Sequence, residues 1–191
     1  MRVVQMTAGQ GGSVAASVLA AWGADVIDAS PRAGVGERSG LGGSRRRIFV
    51  DVAREEGYTV LLELITGADV FLTDLDDEVR GRLRIDLADL RSVNPELVYA
   101  RCPTPPAYSP EDLEAVAIAG AVAAGLLRRE RIGGLQLVEW PIVGRIRALD
   151  EAHGQVSEPA HGDGDRGDEI LAEVGFDPDS IAELRARGVL G

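Results

Sequence analysis

Two short stretches carry side chains able to do chemistry. The first is Thr7-Ala8-Gly9-Gln10-Gly11-Gly12-Ser13, which follows the apolar residues Val3 and Val4 and precedes an Ala-rich segment, with Asp28 closing the next β-rich run. A glycine turn between a strand and a helix, followed by a strand ending in an acid, is the arrangement that seats a dinucleotide pyrophosphate and its ribose. Here Gly9 and Gly11 supply the first half of that fingerprint, but Val14 stands at the third glycine position. The second stretch, Ser109-Pro110-Glu111-Asp112, places two carboxylates where a long helix begins. A carboxylate there can act as a nucleophile beside the positive end of the helix dipole, and the same four residues also make an ordinary helix start, with Ser109 as N-cap and Pro110 at N1.

Other chemistries have little material. All 20 basic residues are arginine, which removes lysine Schiff bases, the P-loop lysine and the Tyr-x-x-x-Lys machinery of short-chain dehydrogenases. His153 and His161 both fall in a Gly-rich polar stretch, so neither a histidine metal site nor a Ser-His-Asp arrangement is expected. Cys102 is the single cysteine, suited to a reducing cytoplasm and read as a small buried hydrophobe at a strand end. The net charge of −11 works against nucleic acid and anionic membrane surfaces. No apolar run reaches the roughly 18 residues of a membrane span, and Met1-Arg2-Val3 leads into a strand rather than a signal peptide.

The elements that must position these groups alternate between short β-rich runs and longer Ala/Leu-rich segments, as parallel strands and crossover helices do. Strands are expected at Arg2–Met6, Asp25–Asp28, Arg46–Val52, Asp69–Thr73 and Leu97–Arg101, with a further one at Leu135–Ile142. Helices are expected at Ser13–Trp22, Glu55–Ile65, Glu78–Leu83 and Asp86–Val93, with Gly23 and Gly67 at C-caps. Prolines at 103, 105, 106 and 110 make a rigid loop before the helix that runs to about Arg131, where Gly133-Gly134 ends it. That helix carries Ala117, Ala119, Gly120, Ala121, Ala123, Ala124 and Gly125, so another backbone can pack close to it. Residues His153–Asp168 read as linker or exposed loop, and helices Asp168–Val174 and Ser180–Arg187 close the chain, the second introduced by Asp177-Pro178.

Several segments together resemble the class III, or CaiB/BaiF, CoA-transferase family. They are G-A-D-V-I at Gly23–Ile27, S-R-R-R-I-F-V-D-V-A-R-E-E-G at Ser44–Gly57, A-D-V-F-L-T-D-L-D-D-E-V-R-G-R-L at Ala68–Leu83 and N-P-E-L-V-Y from Asn94. Arg129–Glu139 and Gly167–Leu190 resemble later elements of the same family in the same order. The resemblance implies an α/β fold: a Rossmann-like parallel sheet with flanking helices over residues 1–148, a linker at 149–167 in place of a small domain, and a C-terminal helical tail at 168–191 packing on the large domain. It implies CoA moved between carboxylic acids through an aspartyl mixed anhydride, with acyl-CoA and a small carboxylic acid as reactants, coenzyme A as the cofactor-like substrate and no metal.

By the same resemblance the catalytic acid falls on Glu111 or Asp112, of which Asp112 preserves the residue type. Gln10, Arg32, Arg45, Arg46 and Arg82 are the candidates for holding CoA, arginine being suited to bidentate contact with phosphate. The family's E-N-F-x-P-G turn is Thr73-Asp74-Leu75-Asp76-Asp77-Glu78 here, and its added acids would repel phosphates. The family forms interlocked dimers, so a homo-oligomer or a complex with a full-length homologue is expected. Two further readings stand beside this one: a catalytically inactive subunit that binds a partner protein, and a nicotinamide-dependent oxidoreductase resting on the glycine turn and Asp28.

Overall fold

The computed structural model describes residues 1–8, 10–30, 45–102, 111–139 and 167–190. Its centre is a six-stranded, wholly parallel sheet with strand order β3-β2-β1-β4-β5-β6. The strands are β1 (Arg2–Met6), β2 (Asp25–Ser30), β3 (Arg45–Phe49), β4 (Val70–Thr73), β5 (Val98–Arg101) and β6 (Gln136–Glu139). Parallel strands need crossovers, and these are supplied by α1 (Gln10–Ala21), α2 (Glu55–Thr66), the short pair α3 (Asp77–Leu83) and α4 (Leu87–Arg91), and the long α5 (Glu111–Ile132). Helices α6 (Gly167–Glu173) and α7 (Pro178–Ala186) follow. This is the expected α/β architecture, and none of the helices among the described residues is long and apolar enough to cross a membrane.

Alternation along each strand divides the core in two. Val3, Val26, Val70, Leu72, Val98 and Ala100 face one layer, formed by α1 and α5. Val4, Ile27, Ile48, Phe71 and Tyr99 face the other, where Leu61, Leu64 and Ile65 of α2 meet Ile170, Leu171 and Ile181 of the C-terminal helices. Val50 bridges Leu190 in antiparallel pairing, and the Asp51 amide donates to the Val189 carbonyl at 3.0 Å. The C-terminal segment is therefore part of the core.

Boundaries follow local chemistry. Gly23 takes φ +94° just after α1, and Gly133 and Gly134 take φ +69° and +74° after α5, a left-handed conformation that a Cβ disfavours. Asp177 caps α7 by accepting the Asp179 and Ser180 amides, with Pro178 at the first helical position. The third strand ends before the expected Val52, because the Asp51 carboxylate and carbonyl accept the Ala53 and Arg54 amides and turn the chain. The N-cap at Ser109, the proline loop and most of the linker lie outside the described residues.

Candidate functional site

In open parallel sheets ligands bind beyond the carboxyl ends of the strands, at the point where the strand order reverses. Here that point lies between β1 and β4, which carry Thr7 and Ala8 on one side and Thr73 and Asp74 on the other. The Ala8 amide donates to the Asp74 carboxylate at 2.6 Å, and Asp74 is buried. The first turn of α1 comes close because residue 12 is glycine. A Cβ on Gly12 would lie 2.6 Å from Thr7 Cγ2 and 3.3 Å from an Asp74 oxygen. A carboxylate thus sits beside the amino end of α1, where a dinucleotide fold holds its pyrophosphate, and its charge works against the nicotinamide reading.

The rest of the acidic turn is engaged in building α3. The Thr73 hydroxyl accepts the Leu75 amide at 3.2 Å, and Asp76 caps the helix by accepting the Val79 amide at 2.7 Å. Asp77 pairs with Arg80 and, at 2.9 Å, with Arg101 at the carboxyl end of β5. The Arg80 hydrogen bond and charge, with help from Arg101, hold the Asp77 carboxyl below the usual carboxylate range. Arg80 is buried and also binds Asp86 at 2.9 Å. The expected repulsion of phosphate is accordingly reduced at Asp77.

The arginine run of β3 is split by strand alternation. Arg45 is buried on the α1 side, where Nη1 donates to the Ser13 Oγ at 3.0 Å and to its carbonyl at 3.3 Å, tying β3 to the first turns of α1. Arg47 lies on the same side, 3.4 Å from Asp28, with its guanidinium 5.9 Å from the Phe49 ring centre. Arg46 points to the opposite face. It binds Asp25 through Nη2 at 2.7 Å and Glu173 of α6 through Nη1 at 2.6 Å, and Arg2 joins the same two acids at 3.0 Å each. This four-residue network sits at the amino edge of the sheet, so the Arg46 guanidinium is held away from the crevice by its two carboxylate partners.

Of the remaining candidates, Arg82 is exposed in the last turn of α3, which leaves from the carboxyl end of β4. Gln10 opens α1 and Asp112 is the second residue of α5, but their side chains lie outside what is described, as do residues Arg32, His153 and His161. Cys102 is buried, and its amide donates to the Thr73 carbonyl at 2.8 Å. Among the described residues no cluster of His, Cys, Asp or Glu is placed to hold a metal ion.

One residue escaped the sequence reading. Gln5 is 1% exposed, lies beside Asp28, which in turn lies beside Arg47, and its Oε1 accepts no hydrogen bond. The three form a polar row across β1, β2 and β3 under α1. The signal was present, since a glutamine between Val4 and Met6 interrupts what should be an apolar central strand.

Comparison with known proteins gives the following. Residues 1–112 match the model of CoA-transferase family III. A segment of 101 residues is 33% identical to the alpha-methylacyl-CoA racemase of Mus musculus, covering 53% of this chain and 26% of that protein. A crystal structure of a hypothetical protein from Mycobacterium tuberculosis superposes with a TM-score of 0.65 at 26% identity, over 73% of this chain and 52% of that one. A CAIB/BAIF family protein from Brucella suis shares the fold with a TM-score of 0.60 at 20% identity, over 72% of this chain and 51% of that one. The match therefore spans about half the length of these structural relatives, and about a quarter of the racemase.

Proposed function

This chain belongs to CoA-transferase family III, and from that premise we propose that it binds acyl-CoA at the carboxyl edge of the sheet and transfers CoA between carboxylic acids, with Asp112 as nucleophile. The observation that carries this reading is the family match over residues 1–112, which reaches the first two residues of α5, Glu111 and Asp112. In the proposed step an Asp112 oxygen bonds to the acyl carbon as the carbon–sulfur bond breaks. The electron pair leaves on the CoA thiolate and the acyl group stays on Asp112 as a mixed anhydride. The thiolate then attacks the aspartyl carbonyl, releasing the donor carboxylate, and the second acid's carboxylate attacks the resulting aspartyl thioester, so that the thiolate finally takes up its acyl group and frees Asp112. No net proton is consumed.

On this reading Arg45 sets the first turns of α1 through Ser13, while Arg82 and Arg32, with Gln10, are the groups offered to CoA. Arg46 is engaged instead at the amino edge of the sheet, binding Asp25 and Glu173 of α6. The reaction belongs in the cytoplasm, with acyl-CoA and a small carboxylic acid as reactants and coenzyme A as the only cofactor-like group. The chain works as a homo-oligomer or with a full-length homologue.

The second reading is an inactive CoA-transferase-like subunit that binds a partner protein. One observation favours it: the Asp74 carboxylate at the strand-order reversal, which opposes an incoming phosphate. The experiment that separates the two incubates the chain with acyl-CoA donors and isotopically labelled free acids, and follows labelled acyl-CoA by mass spectrometry. Exchange that depends on Asp112 supports the transferase, and its absence across a broad panel of acids supports the inactive subunit.

A further inference from the structure

One carboxylate oxygen is shared by two guanidinium groups at the carboxyl end of the sheet. Asp77 Oδ1 accepts from Arg80 Nη2 and, at 2.9 Å, from Arg101 Nη2. The two arginines stand differently. Arg80 is buried and donates to two further acceptors, Asp86 at 2.9 Å and the Leu75 carbonyl, so it belongs to the packing of α3 and α4. Arg101 ends β5 in register with Thr73 of β4, the residue before Asp74 at the strand-order reversal. Its side chain is 32% exposed, and that of Asp77 is 83% exposed.

An ion pair whose carboxylate is this open to water holds weakly, because water competes for both partners. A carboxylate arriving from solution can take the place of Asp77 on Arg101 while Asp77 keeps its bond to Arg80. The exchange requires no movement of the strand. It also leaves the buried Arg80 neutralised by Asp77 and Asp86. The element that follows β5 is α5, whose second residue is Asp112.

The surroundings select the charge of the ligand. Asp74, Asp76 and Glu78 lie next to Asp77 in sequence, and their repulsion is twice as large for a phosphate dianion as for a singly charged carboxylate. Asp77 itself shows that a carboxylate meets Arg101 at hydrogen-bonding distance here. We propose that Arg101 recognises the carboxylate of the free acid, and that Asp77 is an internal stand-in which the acid displaces. That the bound carboxylate belongs to a reacting acid rests on the CoA-transfer reading; the exchange on Arg101 does not.

Amide NMR spectra of the whole chain, titrated with sodium propionate at constant ionic strength, test it. The expected result is a saturable shift of the Asp77 and Cys102 amide resonances, with half-saturation in about the millimolar range expected of a single charge-assisted contact. Arg101→Gln is expected to abolish the shift, Asp77→Asn to lower the half-saturation point roughly fivefold, and inorganic phosphate to bind more weakly than propionate. Asp77→Asn carries the test should Arg101→Gln fail to fold. Shifts that survive Arg101→Gln, a half-saturation point unmoved by Asp77→Asn, or tighter binding of phosphate would each overturn the proposal. Propionate binding of this kind without labelled-acid exchange supports the site and removes the transferase reading alone. Exchange whose KM for the acid is unchanged by Arg101→Gln overturns the site and leaves that reading standing.

Discussion

The Asp74 carboxylate accepts the Ala8 amide at 2.6 Å, joining the ends of β1 and β4 at the point where the strand order reverses. The bond satisfies a backbone donor at the crevice and puts a buried carboxylate there. Replacing Asp74 with Asn keeps an oxygen acceptor for the Ala8 amide and removes the charge. We expect Asp74→Asn to tighten CoA binding by about 1 kcal/mol, roughly fivefold, measured by titration calorimetry. Unchanged or weaker binding would place the phosphates elsewhere.

Two helical glycines should respond in opposite directions. A Cβ on Gly57 in α2 would stand 2.0 Å from the Asp51 carbonyl oxygen, a backbone atom that cannot rotate aside. Gly57→Ala is expected to cost about 2–3 kcal/mol in chemical denaturation. Gly81 in α3 has nothing within 4 Å of its Cβ position, so Gly81→Ala should stabilise by up to about 1 kcal/mol.

The amino-edge network gives a pH dependence with a definite sign. Burial raises the Asp25 pKa, but hydrogen bonds and charge from Arg46 and Arg2 outweigh it, and the carboxyl is held below its ordinary value. A lowered folded pKa means stability that is complete above the unfolded value, about 3.9, and is lost as pH falls through the folded one. Asp69, buried in part but bonded to the Arg2 amide and to Arg129, shifts the same way. Melting temperature should therefore drop steeply below about pH 4, and Asp25→Asn should melt lower at neutral pH while losing less on acidification. A variant that loses as much as wild type in acid would contradict this account of Asp25.

At the start of α5, Asp112→Asn is expected to reduce CoA exchange to background while Glu111→Gln retains it, read by the labelled-acid assay. Both substitutions keep the polar size of the side chain, so a difference between them reports chemistry rather than folding. Equal activity in wild type and Asp112→Asn removes Asp112 from the nucleophile's role.

Much of this fold was legible because buried parallel strands read as apolar runs. The first strand, Arg2–Met6, was placed to the residue, and the last helix announced itself by Asp177-Pro178. Local side-chain bonds blurred the rest, as where Asp51 turns the chain at the end of β3. The site was less legible than the fold. Alternation alone separates Arg46 from Arg45 and Arg47, but which face holds Glu173 depends on a contact 127 residues away in sequence. Asp74 likewise reads as one more acid in a charged turn until its partner, 66 residues earlier, is seen.

Paired calorimetric titrations of the whole chain with CoA and with NAD test the central claim most directly. The account predicts saturable binding of CoA, weakened by Arg82→Gln, and no heat from NAD. Binding of NAD in place of CoA, or of neither, would contradict it.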